Sequence, residues 1–158
     1  MTQKSIIRIA ISVTICLLVG FIAAVATQSS VSTWYVQLNK PSFNPPNWLF
    51  APVWTVLYVL MGISLGLVWN KGFYHKWVKT ALYHFGFQLI LNAAWSIVFF
   101  GAKAILPALL IILSLFILLF FTIRWFKIVE PIAAYLLIPY LIWVGFAAVL
   151  NFEIWRLN

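Results

Sequence analysis

Five apolar runs, each long enough to cross a bilayer as a helix, take up almost the whole chain: residues 6–27, 48–69, 80–100, 105–124 and 131–155. A helical span needs about 20 residues to cover the hydrocarbon core. Charged residues make up only 8% of the chain against 65% hydrophobic, and the mean hydropathy is +1.07. A soluble domain carries about a quarter charged residues, so this chain has too little polar material to coat a globule. In lipid every backbone N–H and C=O needs an internal partner. Helices supply one, and the alternation that a β-barrel requires is missing. The expected fold class is therefore all-α, an integral membrane bundle of five transmembrane helices. It forms a single domain over residues 1–158, with no room for a separate catalytic module.

The ten Lys and Arg against two Glu form no basic stripe, so the net charge of +8 does not point to nucleic acid. No nucleic-acid partner is expected; membrane lipid is. Lys4, Arg8, Lys71, Lys76, Lys79, Arg124 and Lys127 fall on one side of the predicted topology, and Lys40, Lys103 and Arg156 on the other. Seven cations against three predict a cytoplasmic N-terminus, with the first connection and the C-terminus on the opposite face. The first run resembles a signal peptide in its Lys4 and Arg8 and its Ala24-Val25-Ala26. It is longer than the usual signal core, and a retained helix is the expected reading. Cys16 lies inside that run and has no intramolecular disulfide partner.

The longest connection, residues 28–47, carries Pro41, Pro45 and Pro46 and reads as rigid and extended. Gly101-Ala102-Lys103 predicts a tight turn, Pro107 falls in the first turn of the fourth span, and Pro139 predicts a kink in the fifth.

Most conventional chemistry is excluded. The chain has no Asp, and Glu130 and Glu153 both sit at span ends, so paired carboxylates are missing. His75, His84 and Cys16 make no metal spacing, and neither a metal nor a resident cofactor is expected. Polar and aromatic groups remain. His84, Gln88, Asn92 and Ser96 recur every four residues and so form one stripe along a helix. Such a stripe serves either as interhelical glue or as the polar edge of a ligand pocket. Of the nine Trp, six lie at span ends or in connections, where an aromatic belt accounts for them. Trp54, Trp95 and Trp143 lie deeper, where an indole N–H wants an acceptor. Trp143, Ala147 and Asn151 share a face of the last span. Gly62-x-x-x-Gly66 marks close helix packing, within the bundle or between protomers.

Several of these segments resemble a known family. The run Trp34-Tyr35-x-x-Leu38-x-Lys40-Pro41-Ser42-Phe43-x-Pro45-Pro46-x-Trp48-x-Phe50-x-Pro52-Val53-Trp54-Thr55-x-Leu57-Tyr58 is similar to the signature of the TspO/MBR family. That family comprises the tryptophan-rich sensory proteins and translocator proteins (peripheral-type benzodiazepine receptors). Asn92-x-x-Trp95-Ser96 and Pro139-Tyr140-x-x-Trp143-x-x-Phe146-Ala147-x-x-Leu150-Asn151 match it too, in a bacterial-type pattern, and the resemblance spans the whole chain.

The resemblance implies a five-helix bundle, commonly a homodimer, with a ligand pocket under the first connection. The implied ligands are porphyrins such as protoporphyrin IX and related hydrophobic small molecules. The implied pocket residues are Tyr35 and Pro45 from the connection, Trp54 and Tyr58 from the second span, Asn92, Trp95 and Ser96 from the third, and Trp143 and Ala147 from the fifth. A membrane receptor or sensor is the first function implied. The alternatives are light-dependent porphyrin degradation, with Trp54 and Trp143 as candidate catalytic residues, or a carrier of porphyrin or lipid. One departure matters: Phe152 stands where animal members have the Tyr of a sterol-recognition pattern, so sterol binding through that pattern is not expected.

Overall fold

A computed structural model describes residues 1–158, and all its regular secondary structure is helical. Helix α1 is Gln3–Thr33, α2 Asn47–Trp69, α3 Lys76–Ser96, α4 Ile105–Val129, α5 Pro131–Leu136 and α6 Ile138–Leu157. A π-helical turn, Ile97–Gly101, extends α3, and a single 3-10 turn, Tyr35–Gln37, follows α1. Five helical segments are long and apolar enough to cross a membrane, with α5 and α6 counting together as the fifth.

The helix limits differ from the sequence expectation where polar residues continue a helix. Helix α1 runs six residues past Thr27, with its Ser and Thr hydroxyls bonded back to the preceding turn. Thr27 Oγ1–H donates to the Ala23 carbonyl at 2.9 Å and Thr33 Oγ1–H to that of Ser29 at 2.7 Å. The irregular first connection is correspondingly shorter, from Trp34 to the start of α2. Helix α3 begins at Lys76 rather than residue 80, and α4 continues past Arg124 to Val129. Pro139 has no N–H to give, and the last span is interrupted at Leu137, whose N–H bonds to the Ala134 carbonyl (3.1 Å) rather than one full turn back. The tight turn after α3 places Lys103 at φ 56°.

In the bundle α1 lies along α2, α2 meets α5, α4 packs against both α5–α6 and α3, and α3 closes back onto α1. The α1–α2 seam is where Gly62 and Gly66 act. A Cβ on Gly62 would lie 2.3 Å from Val13 Cα, and one on Gly66 2.6 Å from Ile9 Cα. Both glycines therefore face a neighbouring backbone of the same chain and are not free for a partner. Between α2 and α5, the Ser64 hydroxyl donates to the Ala133 carbonyl at 2.7 Å in a fully buried position.

The two ends of the bundle are chemically unlike. Arg8 lies 5.5 Å over the Trp69 ring, Asn70 Nδ2 donates to the Ser5 carbonyl (3.4 Å), and Lys71 pairs with Glu130. These contacts gather the start of α1, the α2–α3 connection and the end of α4 at one end. The Lys71 ammonium bonded to Glu130 holds that carboxyl below the usual range. The opposite end carries Lys40, Lys103 and the Glu153–Arg156 pair.

Candidate functional site

Three helices contribute side chains to one region under the first connection, in layers one helical turn apart. On α2 the sequence Phe50, Trp54, Tyr58 descends a single face at four-residue spacing. On α3 and its π turn the order from depth outward is Gln88, Asn92, Trp95 and Phe99; on α6 it is Tyr140, Trp143, Ala147 and Asn151.

The deepest layer is polar and hydrogen-bonded across three helices, with Gln88 Nε2 its one buried atom left without a partner. Tyr58 Oη–H donates to Asn92 Oδ1 (2.6 Å), Asn92 Nδ2–H to Tyr140 Oη (2.7 Å), and Tyr140 Oη–H to Gln88 Oε1 (2.9 Å). All four side chains are buried, and the chain of bonds ties α2, α3 and α6 together. A buried polar group in lipid needs such a partner, so for Gln88 and Asn92 the stripe acts as glue. His84 stays on its own helix, with Nδ1 2.8 Å from the Thr80 carbonyl and its ring beside Trp125.

One turn outward, the three deep tryptophans converge. The Trp54 ring centroid is 6.2 Å from that of Trp95 and 6.5 Å from that of Trp143, the latter edge to face. With Tyr35, Phe50, Phe99, Phe100, Ala147, Leu150, Asn151 and Ile154 they line an apolar cavity of about 30 Å³. The indole donors fare differently. Trp95 Nε1–H donates to Asn151 Oδ1 (3.0 Å), whose amide in turn donates to the Ile105 carbonyl (3.0 Å). Trp143 Nε1 is buried with no acceptor, a costly arrangement unless something else supplies one.

The connection forms the roof. Tyr35 is buried, its hydroxyl donates to Asn44 Oδ1 (3.0 Å), and burial pushes its phenol above the usual range. Lys40 Nζ donates to the carbonyls of Tyr35 (2.9 Å) and Leu38 (3.1 Å), capping the 3-10 turn with a cation. The roof is then fastened to the end of α6. Asn39 N–H donates to Asn158 Oδ1 (3.1 Å), and Asn158 Nδ2–H donates back to the Asn39 carbonyl (2.9 Å).

Of the residues expected from sequence, Tyr35, Trp54, Trp95, Trp143 and Ala147 line the cavity, and Pro45, Tyr58, Asn92 and Ser96 do not. Tyr58 and Asn92 lie in the polar layer directly beneath. Pro45 is in the roof, and Ser96 is half-buried beside Trp95 in sequence without reaching the space. Sequence reasoning missed Phe50, Leu150 and Ile154, and also the pair Phe99 and Phe100. Both reach the cavity because the π turn, closed by Ala102 N–H to the Ile97 carbonyl (2.9 Å), widens the end of α3. No periodicity signals that turn. Asn151, by contrast, was visible on the Trp143–Ala147 face.

Residues 12–156 match the TspO/MBR family. The chain is 43% identical over 156 residues to a protein named Tryptophan-rich protein TspO from Chlorobaculum tepidum, covering 99% of each. It is 43% identical over 128 residues to the Translocator protein of Homo sapiens, covering 79% of this chain and 75% of that one. To the Tryptophan-rich sensory protein of Cereibacter sphaeroides it is 38% identical over 125 residues, 79% of this chain and 77% of that one. With five apolar helical spans and three tryptophans gathered under a fastened first connection, the chain belongs to the TspO/MBR family.

Proposed function

We propose that this protein is a membrane receptor or sensor that binds a flat hydrophobic ligand of the porphyrin class, such as protoporphyrin IX. The ligand sits between the helices under the first connection, and the protein works as a homodimer. The observation that carries this reading is the convergence of Trp54, Trp95 and Trp143, from three spans, on one apolar space. Aromatic walls supply contact area to a macrocycle and a few polar groups fix its orientation. The buried Trp143 Nε1–H offers a ligand carboxylate or carbonyl a donor that the protein leaves unpaired.

A cavity of about 30 Å³ is of the order of a single water, whereas ligand pockets run to roughly 300–1,000 Å³. Binding therefore displaces the roof: the 34–46 segment lifts from the tryptophans, and the Asn39–Asn158 fastening opens. A second reading is light-driven degradation of the bound porphyrin. It draws support from the direct ring contact of Trp54 with Trp143, two oxidisable side chains at the cavity wall.

The deciding experiment is a titration of the purified protein with protoporphyrin IX, followed by absorbance in the dark and under illumination. A saturable shift of the Soret band that is stable in light supports the receptor. Loss of the band in light with appearance of a new product supports the degradation reading. An unshifted band at all ratios removes the porphyrin assignment.

A further inference from the structure

At the cationic end of the bundle, away from the tryptophan cavity, a lateral groove of about 410 Å³ opens between α1, α2 and α3. Ser12, Ile15, Leu65, Trp69, Phe73 and Leu82 line it. Its three walls share one polarity. On α1, Arg8 stands at the outer end with Ser12 and Ile15 deeper. On α2, Trp69 is outermost and Leu65 lies one turn below. On α3, Lys79 is outermost and Leu82 lies about one turn below. Two cations frame the mouth through its own aromatic residues: Arg8 is 5.5 Å over the Trp69 ring, and Lys79 Nζ is 6.0 Å over the Phe73 ring. Neither is paired with a carboxylate, since the ion pairs of the protein are Lys71–Glu130 and Glu153–Arg156. The floor is apolar, and its single hydroxyl, on Ser12, is already spent on the Arg8 carbonyl (2.8 Å). Trp77 and Trp125 stack 5.5 Å apart at the same end, at the level where aromatic belts meet lipid headgroups.

We infer that this groove is a binding site for one anionic phospholipid, with an acyl chain along Ile15, Leu65 and Leu82 and the phosphate between Arg8 and Lys79. The floor suits hydrocarbon. The unpaired cations at headgroup depth choose the charge of the head, and Trp69 and Phe73 hold those cations over the chain's point of entry. Each cation near an anionic head contributes a few-fold to affinity, and two together set an expected preference of roughly thirtyfold for an anionic over a zwitterionic head at low salt.

The test is native mass spectrometry of the full chain in mild detergent, supplied with phosphatidylglycerol or phosphatidylcholine of identical acyl chains. The wild type is expected to retain one phosphatidylglycerol in marked preference to phosphatidylcholine. The pair Arg8→Gln, Lys79→Gln should reduce the preference to about threefold or less. The pair Arg124→Gln, Lys127→Gln removes the same charge at the same end without touching the groove and should keep it. Ile15→Trp fills the groove with both cations intact and should weaken retention of both lipids. Equal retention of the two lipids by the wild type overturns the site, as does an equal loss in the two charge pairs, which would mean a diffuse field. Should the Arg8, Lys79 variant fail to fold, Ile15→Trp decides alone, and unchanged phosphatidylglycerol retention there overturns it.

Discussion

Trp54, Trp95 and Trp143 are alike in burial but not in hydrogen bonding, and that difference separates their roles. Trp95 is committed to Asn151, which locks α3 to α6, whereas Trp143 keeps an unpaired donor beside the cavity. Replacing Trp143 and Trp54 by Phe preserves most of the apolar wall. Porphyrin affinity is expected to fall by about 1 kcal/mol for a lost hydrogen bond. Light-driven porphyrin loss, where it occurs, should fall far more, because Phe is much harder to oxidise. Trp77→Phe, at the opposite end, should change neither, and full light-driven loss in the double variant rules out these rings as the electron source. Asn92 gives the opposite expectation. It accepts from Tyr58 and donates to Tyr140, so Asn92→Leu leaves the buried Tyr58 hydroxyl with no partner, at a cost of about 1–3 kcal/mol, while Tyr140 keeps its bond to Gln88. Thermal unfolding in detergent should show a clearly lowered midpoint. A variant that instead loses ligand affinity at unchanged stability would move Asn92 from the framework to the pocket.

Among the elements, the α1–α2 seam and the roof make separate demands. Gly62 lies against the backbone of Val13, so Gly62→Val forces the helices apart rather than shifting a side chain. Overpacking of this kind costs about 1–3 kcal/mol and sometimes more. A lowered unfolding midpoint is the expected outcome, and an unchanged midpoint would contradict the packing of α1 on α2. The roof is held by contacts between the connection and α6 that are exposed and so individually weak. Asn158→Ala removes both side-chain bonds to Asn39. It should accelerate porphyrin association several-fold, at about 0.5–1.5 kcal/mol per bond lost, with little effect on unfolding. Stopped-flow fluorescence of porphyrin binding measures this, and an association rate equal to wild type would show that ligand enters elsewhere.

For the whole molecule, the separation of charge between the two ends is expected to set its orientation. With Lys4, Arg8, Lys71, Lys76, Lys79, Arg124 and Lys127 at one end and three cations at the other, that first end is expected in the cytoplasm. A reporter fused at the C-terminus should be active only on the opposite side, and activity confined to the cytoplasm reverses the assignment. The same orientation puts the proposed lipid groove in the cytoplasmic leaflet, where anionic lipid concentrates, and the tryptophan cavity toward the far face. The proposed homodimer would use a different surface from the Gly62-x-x-x-Gly66 face. Gly62 and Gly66 are buried against α1, so self-association would use a face outside that seam.

Read alone, the chain determined the class of the protein, the number of spans, which end carries the cations and which residues are too polar or too deep to face lipid. These properties are written locally, in run length, hydropathy and four-residue spacing, and need no knowledge of where one helix lies against another. Tertiary structure alone decided which member of each set meets the cavity. Asn92 and Trp95 are three residues apart on one helix, yet one is sealed in a hydrogen-bonded layer and the other lines the cavity. The difference rests on the depth and rotation of α2 and α6, tens of residues away. Phe99 and Phe100 enter the site only through the extra residue of a π turn, and the glycines of α2 face α1 rather than a partner. Such outcomes come from the packing of distant helices, where a shift of one turn exchanges a wall for a support, and no local pattern in the chain encodes that shift.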